Sequence, residues 1–237
     1  MFCLIRDPCD SQLTIVRDNN GFYNITLVNK RYQDAHPDMY AKIPSDWMKL
    51  ASTRKLINEI KSMYGLTDLV IKHNNIPNYL RGTYLHPILY TEYMAWMDIK
   101  YKVKIMGRFC NINATPDEDI LIMRDDNGFY NIAMASRRYN NLYPNTVMKR
   151  VNCWTRCVYT QLLINEIQSM YGLKDIIVRH VDVSHSPKCC TYVHPILYTE
   201  FMAWVDVKYK AKLIGQFCNI NISQEEVIKY DLVFNGL

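Results

Sequence analysis

A long stretch that occurs twice constrains the fold of this 237-residue chain more than any other feature. Arg17-Asp18-Asn19-Asn20-Gly21-Phe22-Tyr23-Asn24-Ile25 returns as Arg124-Asp125-Asp126-Asn127-Gly128-Phe129-Tyr130-Asn131-Ile132. Trp47 returns as Trp154, and Met63-Tyr64-Gly65-Leu66 as Met170-Tyr171-Gly172-Leu173, each 107 positions later. From His86-Pro87, matched by His194-Pro195, the offset is 108. One extra residue therefore falls in the loop after His73 and His180, where insertions are best tolerated. Between 86–113 and 194–221, 21 of 28 positions are identical, which only duplication explains. The period is too long for a solenoid and suits an independent small domain. Two modules, 13–113 and 120–221, are expected, joined by the short acidic segment Ala114-Thr115-Pro116-Asp117-Glu118-Asp119.

Each module reads as a small α+β unit. Leu13–Arg17 and Phe22–Val28 flank Asp18-Asn19-Asn20-Gly21, whose Asn-Gly pair predicts a tight β-hairpin. Ile120–Met123 and Phe129–Met134 predict the same in the second copy. Trp47 to Tyr64 reads as one helix, with Leu56, Ile60 and Met63 on one face and Gly65 at the C-cap. Leu69-Val70-Ile71 and Ile176-Ile177-Val178 read as short buried strands. Pro87 is expected to open a long helix running to about Val103. His86 and His194, directly before that proline, are read as helix caps rather than catalytic groups. Asp98 and Asp206 are read as partners in intrahelical salt bridges.

Composition excludes several functions. No apolar run is long enough to cross a bilayer, and the N-terminus shows no secretory pattern. The eight cysteines are expected to be reduced thiols, because only Cys110 and Cys218 recur in both copies. Cys153, Cys157, Cys189 and Cys190 with His180 and His185 lack zinc-site spacing, and the first module has only His73 among their counterparts. No glycine-rich phosphate loop is present, so neither a cofactor nor catalysis is expected.

Charge points to a polyanion. The net charge is +5, but residues 13–113 hold 14 Lys/Arg against 8 Asp/Glu, and residues 120–221 hold 12 against 7. Two basic modules in series suggest a polyanionic partner. The candidate DNA contacts are Lys30, Arg31, Lys49, Arg54 and Lys55 in the first module. In the second they are Arg137, Arg138, Lys149, Arg150 and Arg156.

Gly21-Phe22-Tyr23-Asn24-Ile25-Thr26, Asp46-Trp47, Gly82-Thr83-Tyr84-Leu85-His86-Pro87 and Ala95-Trp96 together resemble the KilA-N domain. The form resembles that of poxvirus host-range and virulence factors, in which the module stands alone or beside a RING finger. The resemblance implies a DNA-binding fold related to fungal APSES domains, acting in the host-cell cytoplasm at viral DNA. Sixteen residues follow Asn221, with no cysteine or histidine, so ubiquitin-ligase activity is not expected. Cys190 stands where the first copy has Gly82, and Cys153 where it has Asp46, so the copies are not expected to bind equally. The alternative reading is a RING-less host-range modulator whose partner is a host or viral protein.

Overall fold

The computed structural model describes residues 2–37, 42–110, 124–180, 190–222 and 227–228. The acidic segment 114–119 and the predicted strand 120–123 lie outside the described residues. Two compact units are present: residues 1–101 with 214–237, and residues 102–213.

Unit 1 starts with β1 (Cys3–Arg6) and β2 (Thr14–Arg17), followed by β3 (Tyr23–Asn24). The turn between β2 and β3 spans residues 18–22, one more than the four expected between the strands. The Asp18 carboxylate accepts from the backbone N–H of Asn20 at 2.9 Å and Phe22 at 2.8 Å, and Gly21 takes φ +86°. The second strand of the predicted hairpin lasts only two residues. Asn24 then caps a helix, α1 (Ile25–Ala35), its side-chain oxygen accepting from Leu27 N–H at 3.0 Å. Asn24 at an N-cap outweighs the strand propensity of Ile25 and Val28, which α1 buries on its inner face.

The single helix expected from Trp47 is two, α2 (Pro44–Lys49) and α3 (Ala51–Tyr64). Leu50 between them is extended, with ψ 133°. Thr53, Leu56 and Ile60 face inward on α3, and Gly65 ends it in the left-handed conformation as expected. β4 (Val70–His73) pairs with β5 (Gly82–Leu85), a strand the sequence reading did not identify. α4 (Pro87–Met97) is buried on almost every side, which fits its lack of a polar face. The predicted long helix breaks at Asp98 before α5 (Ile99–Phe109). All pairings in the sheet are antiparallel, in the order β4-β5-β3-β2-β1-β9, where β9 is Val227–Ile228.

Unit 2 repeats the plan with β6 (Tyr130–Asn131), α6 (Ile132–Leu142), α7 (Val151–Thr155) and α8 (Val158–Tyr171). β7 (Ile177–His180), β8 (Cys190–Val193), α9 (Pro195–Val205) and α10 (Val207–Ile222) follow. Phe129–Met134 is likewise two strand residues and then a helix, capped by Asn131. Its sheet has the order β6-β8-β7.

Candidate nucleic-acid interface

The first module brings its predicted cations to two neighbouring elements. α1 packs on β2 and β5 and touches α2. Lys30 and Arg31 are exposed on α1. Arg31 Nη1 donates to the Thr14 carbonyl at 2.6 Å, which fixes the guanidinium and leaves its other donors for an anion. At the α2–α3 corner, Arg54 Nη2 donates to the Lys49 carbonyl at 2.9 Å. Lys49 pairs with Asp46 at 3.2 Å, an exposed contact of little strength. Lys30 and Lys55 are exposed, with no partner among the described residues. α3 starts without a side-chain cap, so the positive end of its dipole adds to Arg54 and Lys55.

Unit 2 departs from this arrangement. Arg137 is exposed on α6 and Arg138 is half-buried. Arg156, at the α7–α8 junction, is the counterpart of Lys49 and is exposed. Arg150 is exposed and donates to Met148 Sδ at 3.3 Å. The counterparts of Arg54 and Lys55 are Gln161 and Leu162, so the corner keeps Arg156 but loses two cations. Val158, Tyr159 and Leu162 instead expose 74%, 41% and 54% of their surface at the start of α8.

Lys149 has a structural assignment. It is half-buried with its ammonium 4.5 Å from the centre of the Trp204 ring. Asn140 clasps its backbone, accepting from its N–H at 2.8 Å and donating to its carbonyl at 3.0 Å. Its counterpart by the repeat offset is Lys42, not Lys49. Lys42 lies 5.3 Å from the Trp96 ring and donates to the Trp96 and Met97 carbonyls at 2.6 and 3.0 Å. There it closes the C-terminal end of α4, where a cation is favoured. Burial lowers the Lys42 pKa, and Asp98 opposes the shift.

The two histidines cap helices, as the sequence implied. Nδ1 of His86 accepts from Ile88 N–H at 3.3 Å, and His194 does the same for Ile196. Burial lowers both imidazole pKa values. Asp98 and Asp206 cap the helices that follow them. They accept from Lys100 N–H at 2.8 Å and Lys208 N–H at 2.9 Å, the first turns of α5 and α10.

The difference between Gly82 and Cys190 has a packing partner. A Cβ at Gly82 would lie 2.5 Å from Thr26 Oγ1, and Gly82 takes φ +149°. The counterpart of Thr26 is Ala133, whose smaller side chain removes that hydroxyl where Cys190 needs room.

Sequence reading also missed Asp7. Its carboxylate is buried and accepts from Tyr90 Oη at 2.6 Å, Tyr101 Oη at 3.0 Å and the Cys9 N–H at 2.7 Å. Burial pushes the Asp7 carboxyl above its usual range, and these hydrogen bonds act in the opposite direction. In unit 2 the counterpart of Tyr90 is Tyr198, whose hydroxyl has no partner among the described residues. A lone aspartate outside the repeated motifs gave no signal for this role.

Among the described residues no group of three or more His, Cys, Asp or Glu is placed to hold a metal. Cys189 and His185 lie outside those residues. Cys3, Cys110, Cys153, Cys157 and Cys190 are free thiols. No helix among the described residues is long and apolar enough to cross a membrane.

Residues 7–115 and 113–223 each match the KilA-N domain family. A KilA-N domain-containing protein of Acanthamoeba polyphaga mimivirus is 28% identical over 93 residues, 38% of this chain and 25% of that protein. The chain thus covers a quarter of that relative's length. No solved structure matches the chain.

Proposed function

The chain belongs to the KilA-N family, generally a DNA-binding domain of viral proteins, and from that premise we propose that it holds double-stranded DNA with low sequence specificity. The observation that carries this reading is the exposed cation set on α1 and the α2–α3 corner: Lys30, Arg31, Lys49, Arg54 and Lys55. Side chains of this kind meet phosphates and position a duplex without reading bases. The second module contributes Arg137, Arg138, Arg150 and Arg156, and tethering raises its effective concentration on the same DNA. KilA-N is a binding domain rather than a catalytic one, and we assign this chain no reaction. The place of action we propose is the host-cell cytoplasm at viral DNA, as for the poxvirus host-range proteins the motifs resemble. Fractionation of infected cells tests it.

Affinity should fall steeply with salt, because each neutralised phosphate releases counterions. Lys30→Ala with Arg31→Ala should weaken binding alike on all sequences and flatten the slope of log K against log salt by roughly two. A mobility-shift titration measures both. No binding at low salt would overturn the reading, and an unchanged slope in the double variant would move the contact off α1.

A second reading draws on the apolar start of α8. Val158, Tyr159 and Leu162 are exposed together, a surface suited to a protein partner. Capture from nuclease-treated cells separates the readings. Partners that survive nuclease and are lost with Val158→Ser and Leu162→Ser favour a host or viral protein.

A further inference from the structure

The helix that ends each repeat does not return to its own repeat. α4 stops at Met97, and Asp98 (φ −128°, ψ 122°) is one extended residue before α5. Two helices that fold back on each other need a connection of about two to five residues. The Tyr101 hydroxyl on Asp7 holds the first turn of α5 in unit 1, and from Lys102 onward the helix belongs to unit 2.

There α5 completes the core of the other repeat. Val103, Ile105, Met106 and Phe109 are all buried. Lys102, 4% exposed, places its ammonium 2.7 Å from the Glu200 carboxylate. Cys110 Sγ lies 4.0 Å from Thr199 Oγ1. Tyr171 lies directly on Gly107, where a Cβ would run into its hydroxyl. Only glycine permits that approach.

The arrangement is reciprocal. α10 passes into unit 1 at Ile214, and Tyr64, the counterpart of Tyr171, lies on Gly215 with the same lack of room for a Cβ. Beyond α10, β9 pairs with β1, Leu4 opposite Ile228.

We propose that the seat for this helix in each repeat is an interaction surface for a KilA-N terminal helix from outside that repeat. Within one chain the other repeat fills it, and at high concentration a second copy of this chain fills it instead. In unit 2 the seat recognises the helix by the Lys102–Glu200 pair and a glycine under tyrosine, and in unit 1 by the matching glycine under tyrosine. These features do not depend on which chain supplies the helix. The tether sets only the effective concentration, so reciprocal exchange between chains uses the same contacts.

The full-length chain tests this with engineered cysteines. Thr199→Cys should crosslink with Cys110 within one chain when refolded dilute and oxidised with diamide, because the two side chains are already close. Thr91→Cys, at the counterpart of Thr199, should crosslink with Cys218 and not with Cys110. For exchange between chains, a Thr199→Cys chain that also carries Cys110→Ser is refolded with the unaltered chain. A crosslink from Cys110 of the unaltered chain to the thiol introduced at position 199 of the other should appear at high concentration and vanish on dilution. In the Thr91→Cys variant, a crosslink from Cys110 to the introduced thiol would show the helix folded back on its own repeat and overturn the proposal. Failure to form the two-chain crosslink at any concentration would overturn the role of the second copy. Lys102→Glu should lower the melting temperature, and Glu200→Lys added to it should restore much of the loss. No restoration would remove the pair from the seat, whatever the cysteine variants do.

Discussion

α3 and α8 occupy the same place in their repeats, and they differ only on the outside. Thr53, Leu56 and Ile60 are buried in α3, and their counterparts Thr160, Leu163 and Ile167 are buried in α8. The outward positions change from Ala51, Ser52, Arg54, Lys55 and Lys61 to Val158, Tyr159, Gln161, Leu162 and Gln168. Close packing holds the inner face, where a lost methylene leaves a cavity. No such constraint acts on the outer face. A duplicated fold can thus keep its core while one copy trades two cations at this corner for a neutral and an apolar side chain.

If the cores are equivalent, they should fail equally. Trp47 packs edge-on to Tyr93 at 5.5 Å and Trp154 to Phe201 at 5.1 Å, both tryptophans buried. Trp47→Ala and Trp154→Ala should each cost about 3–5 kcal/mol by denaturant unfolding. A loss at one site only would show that one repeat props up the other.

The next largest effect tests where the copies trade side chains. Gly82→Cys places the unit 2 residue in unit 1, against Thr26 and at a φ that favours glycine, and should cost about 1–3 kcal/mol. Adding Thr26→Ala, the unit 2 companion, should recover the part due to the clash and leave the backbone strain. Equal melting temperatures for the single and double variants would break the pairing of Gly82 with Thr26.

The outer faces can be exchanged as well. Arg54→Gln with Lys55→Leu makes α3 resemble α8 and should lower DNA affinity about tenfold near 0.1 M salt, with little change in stability. Gln161→Arg with Leu162→Lys should strengthen binding in the other direction. Salt titrations of both variants measure the asymmetry. Equal binding by the first variant and the unaltered chain would place the interface away from α3.

The duplication, the α+β class, the Gly65 cap and the histidine caps were legible because each rests on local chemistry. Asn24 was legible in kind but not in effect, since Ile25 and Val28 read as strand until a cap turns the chain into a helix. β5 escaped because Gly82-Thr83-Tyr84-Leu85 has no alternation to mark it. The long helix after Pro87 broke at Asp98, whose carboxylate caps the next helix. That capping role competes with an ion pair and cannot be separated from it by spacing alone. The cations could be read from the sequence, but the position of Lys149 over Trp204 could not.

The smallest predicted effect is one the two repeats should share. The His86 and His194 rings accept a hydrogen bond at Nδ1, which requires a neutral imidazole with its proton on the other nitrogen. Burial already lowers both pKa values, and protonation would remove the acceptor as well. A base whose pKa is lower in the folded state binds fewer protons there than in the unfolded chain. The stability it supports is therefore fully present above the ordinary imidazole value of 6.5 and is lost as pH falls below it. The melting temperature should drop between about pH 7 and pH 5. Asn caps a helix without titrating, so His86→Asn with His194→Asn should keep neutral-pH stability within about 1 kcal/mol. The double variant should also flatten that part of the pH profile, with each single change removing a similar share. An unchanged slope in the double variant would assign the pH dependence to other groups. Unequal shares would extend the divergence of the two copies from their outer faces to their caps.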